Sequence, residues 1–152
     1  TQIPTRWVDQ GAVSAKPIYR VSSRKNAGLL EVICKQHVAD KTNWRAMLKG
    51  SPEPVDFAAV SDAILAEARS EIDELIDTVG IQSIQPCVDA KVVEIHYPVI
   101  QYPEKVTSFN FDKTPVVEGV LMGIKGQYLM LDTGVLNIRK FGGYKVEFST
   151  AA

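Results

Sequence analysis

No stretch of this chain approaches the ~20 consecutive apolar residues that a bilayer-crossing helix requires, so no membrane partner is expected. The first residues carry no signal-peptide pattern. Cysteine is scarce: the two present, Cys34 and Cys87, lie in apolar surroundings (LEVICKQ and IQPCVDA) and form no zinc or redox spacing. That usage points to a reducing, cytoplasmic setting. Histidine is equally scarce, and His37 and His96 each stand alone. Glu94 and His96 share a strand face with Asp89 nearby, too few ligands for a zinc site. There is no internal repeat and no low-complexity tract. The glycines of the C-terminal stretch lack the spacing of a phosphate-binding loop between strand and helix; they suit tight turns and bends.

What is present is an ordinary globular composition, with 45% apolar and 23% charged residues in 152. A chain of this length buries roughly two thirds of its unfolded surface and can support a core. The net charge of −1 conceals an asymmetry. Residues 1–50 carry nine Lys/Arg against Asp9, Glu31 and Asp40, a balance of +6; residues 51–80 carry eight acids against Arg69, a balance of −7; the remainder is neutral. A basic block of this kind suits a nucleic-acid-facing surface. It equally suits two blocks that face each other within one fold.

The patterning falls into three segments: 1–50, 51–80 and 81–152. In the first, Ile3–Gln10 reads as a short helix ended by Gly11, and Pro17–Val21 as a strand. Asn26 is placed to cap a helix with apolar positions through Val38, and Asp40 or Thr42 to cap another through Leu48. SPEP at 51–54 is the clearest punctuation. Beyond it lies one long amphipathic helix, or a turn followed by one. Val60, Ile64, Ala68, Ile72, Leu75 and Val79 form its apolar stripe, the acids lie opposite, and Gly80 is the C-cap. From Ile81 the period becomes two. Strands are expected at Lys91–His96, Val106–Phe111, Val116–Ile124, Tyr128–Leu131, Leu136–Arg139 and Tyr144–Phe148. The whole predicts an α+β fold ending in a small, bent antiparallel sheet or barrel.

The strongest local constellation is Arg6 with Glu31. Arg6 adjoins Trp7 on a short helix. Glu31 is the only acid in an otherwise apolar and basic helix, where a carboxylate must face water, pair with a cation or bind a metal. Lys35 at i+4 offers a simple ion pair. Trp7 and Trp44 are available to stack bases or to fill a core. On the C-terminal strands Lys125, Gln127, Asn137, Arg139, Lys140 and Tyr144 form a candidate binding face, with Lys140 and Phe141 at a tip.

The segments IPTRWVDQGA, AGLLEV, DKTNWRAML and KTPVVEGVLMGIKGQYLMLDTGVLNIRKFGGY, in this order, resemble an uncharacterised bacterial protein family of longer chains. The resemblance implies a C-terminal fragment of a longer protein with cysteine-rich sequence and a strand pair upstream. The early segments also resemble the second half of a GIY-YIG endonuclease domain. By that resemblance Arg6 is the arginine that stabilises charge on phosphate, PIYRV is the third strand, Glu31 is the carboxylate that holds a divalent cation, and Asn43 stands near the site. Trp44 and Arg45 then join Trp7 and Asn43 as substrate-binding candidates. Mg²⁺ is implied for the longer parent only, with none expected bound in this chain, because the tyrosine-bearing strands of the name motifs are missing and Tyr19 lies on the wrong element to replace them. The expectation is a nucleic-acid-associated protein of unknown function whose present length is an inactive nuclease fragment. A non-catalytic binding module is the alternative. An exposed sheet edge would allow a homodimer through the N-terminal region.

Overall fold

The computed structural model describes residues 5–38, 41–50 and 52–150. It is an α+β arrangement that divides into two compact units. The first unit combines residues up to Ala12, Trp44 to Gly50, and Ile95 onward; the second combines Val13–Asn43 and Pro52–Glu94.

In the first unit, helix α1 spans Thr5–Asp9, shorter than the expected Ile3–Gln10, whose Ile3 lies outside the described residues. Gly11 at φ 72° ends it, and helix α3 is a single turn, Trp44–Met47. Strands β5 (Leu121–Lys125), β6 (Tyr128–Leu131) and β7 (Gly134–Asn137) form an antiparallel meander. Gly126, at φ 60°, occupies the first position of the two-residue β5–β6 turn, and Gln127 follows with negative φ. That is the pattern of a type II′ hairpin, which demands glycine there. The sheet packs Leu48, Tyr128, Met130 and Val135 into a core flanked by Trp44, Met47, Val99, Tyr102 and Val106. Among the described residues this sheet does not close into a barrel: Val99 makes only an isolated bridge to β5, and Ser108 one to β7.

In the second unit, strand β1 (Ser14–Ala15) pairs with β4 (Val93–Glu94), and β2 (Tyr19–Val21) with β3 (Ile84–Pro86), all antiparallel. Helix α2 spans Arg24–Cys34 and is capped by Ser23, whose side chain accepts from the Asn26 N–H, rather than by Asn26 itself. Asn26 is buried inside the first turn. Of the two candidate caps for the next helix, Asp40 lies outside the described residues, and that helix starts only at Trp44. The acidic segment is two helices of equal length, α4 (Phe57–Glu67) and α5 (Arg69–Val79), joined at Ala68. Asp56 caps α4 through two backbone N–H groups, and Gly80 caps α5 as expected. The break has a packing cause: Ala68 and Ile72 are buried with Leu30 and Ile84 in one core, while Val60 at the start of the stripe is exposed.

Five strand expectations change: Lys91–His96 shortens to Val93–Glu94, and Leu136–Arg139 moves to Gly134–Asn137, with Arg139 in the 3-10 turn that follows. Val106–Phe111 contributes only the Ser108 bridge, Val116–Ile124 pairs only from Leu121 onward, and Tyr144–Phe148 pairs with nothing among the described residues. An alternating sequence specifies which faces are apolar; it does not supply a neighbouring strand.

Candidate functional site

The charged surface of the second unit is built by β2 and α2. Helical spacing turns Leu30, Ile33 and Cys34 toward the core, where α5 packs. Arg24, Gly28, Glu31 and Lys35 then share the opposite face, and all four are exposed. A Cβ added at Gly28 would meet nothing within 4 Å, so the space one turn before Glu31 is open. Arg20 on β2 and Ser22, Ser23, Arg24 and Lys25 at the helix start are exposed as well. The first turn of α2 contains no acid. Helix N-termini carry partial positive charge and N–H groups without intrahelical acceptors, so aspartate and glutamate are the stabilising residues there. This helix places an arginine and a lysine in that position, after an exposed arginine on the preceding strand. The arrangement works against helix stability and concentrates positive potential at one point.

The other predicted residues are distributed between the units. Arg6 is exposed on α1 and Trp7 beside it is half-buried, both in the first unit. Glu31 and Asn43 belong to the second unit, and both are exposed. Trp44 stacks on Tyr128 with ring centroids 5.6 Å apart and planes 5° from parallel, and the Arg45 guanidinium lies 4.3 Å from the Trp44 ring centroid. This tryptophan fills the edge of a core, the bland one of its two readings.

The C-terminal candidates need correction. Lys125, read as an exposed binding residue, is completely buried. A register shift between Leu121 and Gly123 sets the phase of β5 so that Lys125 points inward and Ile124 outward. Its Nζ donates to the Met47 carbonyl at 3.1 Å, the Gly50 carbonyl at 2.9 Å and the Tyr102 hydroxyl at 3.4 Å. The Tyr102 ring centroid is 5.0 Å away. The ammonium thus neutralises the carbonyl end of α3, a structural task. Phe141, expected at a solvent tip, is buried between Phe111 and Tyr144. Arg139 pairs with Asp9 at 3.2 Å.

His37 is not alone. Its Nδ1 lies 3.1 Å from the Glu67 carboxylate, and its Nε2 is buried with no hydrogen-bond partner among the described residues. Thirty residues separate the two, and nothing in the local pattern joins them. Three groups have their pKa raised by burial: the hydroxyls of Tyr19 and Tyr97 and the Cys34 thiol. Tyr97 donates to the carbonyls of Val8 and Ala12. The Tyr144 hydroxyl is raised by its hydrogen bond to Asp112. Among the described residues no three His, Cys, Asp or Glu side chains converge as metal ligands, and no helix is long and apolar enough to cross a membrane.

Residues 1–146 match the family described as "Protein of unknown function (DUF2797)". The chain belongs to that family. No curated protein and no solved structure matches it. Membership in DUF2797 therefore fixes kinship along nearly the whole chain and leaves the activity to be argued from the surface just described.

Proposed function

We propose that this DUF2797 chain is a nucleic-acid-associated protein that contacts phosphate at the start of α2. The observation that carries the reading is the placement of Arg20, Arg24 and Lys25, all exposed, at the positive end of a helix with no acid in its first turn. Phosphate oxygens are met by such ends through free N–H groups and through arginine and lysine together.

The finer form of the proposal is a GIY-YIG-type nuclease ancestry. The order α1, β1, β2, α2 contains the helix, strand and helix of that resemblance, with one further short strand, β1, between α1 and β2. In it, Glu31 is the carboxylate for Mg²⁺; Arg6, the phosphate arginine of that resemblance, belongs to the other unit. Glu31 is exposed, and a cation that keeps most of its water binds through one or two carboxylates and substrate phosphate. Bound there, Mg²⁺ would supply Lewis-acid catalysis. The second reading, a non-catalytic binding module, is favoured by the Glu31–Lys35 spacing, which serves the helix without any ligand.

The test is fluorescence anisotropy with short single- and double-stranded DNA and RNA at low and moderate salt. Binding that weakens steeply with salt is expected. The double variant Arg24→Glu/Lys25→Glu should bind at least about tenfold more weakly, with a salt slope lower by about two. No binding to any of the four at low salt overturns the proposal, as does full binding by the double variant. For the nuclease form, a protein that carries the tyrosine-bearing strands together with these segments should show Mg²⁺-dependent cleavage that is lost in Glu31→Ala, and binding without cleavage leaves the binding module.

A further inference from the structure

The segment Tyr144–Phe148 has the sequence YKVEF, the alternating pattern of a strand, and it pairs with no strand among the described residues. Lys145 Nζ lies 3.6 Å from Glu147 Oε1, which puts these side chains on one side, as an extended chain does at i and i+2. Tyr144, Val146 and Phe148 alternate with them and are exposed at 51%, 55% and 81%; of the three, Tyr144 is also held within its own unit, its ring against Phe141 and its hydroxyl on Asp112. Tyr, Val and Phe are strong strand formers. The backbone groups of Lys145–Phe148 make no hydrogen bond among the described residues. Within this unit the two edges of the β5–β6–β7 sheet are already touched by Val99 and Ser108.

The pattern is complementary to itself. Place a second copy antiparallel with Val146 opposite Val146. Lys145 of each chain then faces Glu147 of the other, and Tyr144 faces Phe148. Opposite charges and aromatic pairs are the combinations that stabilise directly opposed strand positions. A parallel alignment in register would instead set lysine beside lysine and glutamate beside glutamate. We propose that Tyr144–Phe148 pairs two copies of this chain antiparallel about Val146, forming a weak, two-fold symmetric dimer. Such an interface is isologous, with each strand satisfying the other's exposed backbone. It does not depend on nucleic-acid binding.

Charge swaps test it on the full chain, by sedimentation velocity from about 10 to 500 μM, the range suited to a weak dimer. The native chain should show a mass that rises with concentration. Lys145→Glu sets glutamate against glutamate, and Glu147→Lys sets lysine against lysine. Each should weaken dimerisation about tenfold. An equimolar mixture of the two variants restores opposite charges at both positions and should recover the native affinity. Both side chains are about nine-tenths exposed, so the fold is not at risk, and thermal unfolding of each variant checks this. A native chain that stays monomeric at every concentration overturns the proposal. So does a dimer unaffected by either variant, or a mixture no tighter than its components.

Discussion

Lys125 illustrates how far one side chain can depart from its hydropathy. It sits in the sequence as a polar residue on an alternating strand, yet it is buried and Ile124 beside it is partly exposed. The register shift two residues earlier sets that phase; Gly123 at the shift is its one local sign, and a glycine there does not say which side chains the shift turns inward. The ammonium holds two carbonyls at the end of α3. Lys125→Met keeps the aliphatic stem and strands both carbonyls, so urea unfolding should show a loss of about 2–4 kcal/mol. Tyr97 gives the residue scale its pH dependence. Burial first, and the Asp9 charge second, raise its pKa above the ordinary 10.0. The neutral phenol is therefore favoured in the folded state. Its contribution is complete below the unfolded tyrosine pKa and is lost as pH climbs through the higher folded value. Stability should fall above about pH 10. Tyr97→Phe should be less stable at neutral pH, having lost the one hydroxyl that the carbonyls of Val8 and Ala12 share, but should show a shallower alkaline decline. Chemical denaturation at pH 7 and at alkaline pH separates the two effects.

Elements were legible in proportion to how local their causes are. Strand β6 occupies the expected Tyr128–Leu131, and Gly80 ends α5 where a glycine C-cap was read. Ser23 takes the cap expected of Asn26, because Asn26 is drawn inward and buried. The division at Ala68 was not visible: no glycine or proline marks it, and its cause is the burial of Ala68 against residues far along the chain. Nor could the alternation in Tyr144–Phe148 reveal that no partner strand lies beside it among the described residues. The charges at the start of α2 lead to an expectation for that helix alone. Arg24→Glu/Lys25→Glu places acids where the helix dipole favours them, so each change should stabilise by about 0.5 kcal/mol. A variant that melts at a higher temperature while binding nucleic acid more weakly would separate a cost carried for binding from a residue needed for folding. A lower melting temperature would contradict this account of the helix end.

At the scale of the whole molecule, composition and periodicity established α+β, but the sequence order conceals how the chain is partitioned. Each compact unit draws on separated segments. Six of the nine basic residues of 1–50, Lys16, Arg20, Arg24, Lys25, Lys35 and Lys41, share a unit with the acidic helices, whereas Arg6, Arg45 and Lys49 belong to the other. Charge counted along the sequence therefore does not map onto one surface. Of the two charge readings, a binding face and internal balance, the candidate phosphate contact is confined to the few cations at the start of α2. The partition also bears on which pieces can fold. The meander β5–β6–β7 looks self-sufficient as residues 95–152, yet Leu48 in its core comes from far upstream, and Trp44 and Met47 pack against it. Trp44 stacks directly on Tyr128, and the Lys125 ammonium takes both of its carbonyl acceptors from the same upstream segment. A peptide of residues 95–152 would expose the pocket Leu48 fills and leave the Lys125 ammonium with the Tyr102 hydroxyl in place of its two carbonyl acceptors, a penalty that few small domains can bear. Such a peptide should show no cooperative thermal transition and poorly dispersed amide resonances. Addition of a peptide covering residues 43–50 should restore dispersion if that segment is what the meander lacks. A cooperative transition in the isolated 95–152 peptide would show instead that the sheet is held by its own strands and that the upstream helix merely docks on it.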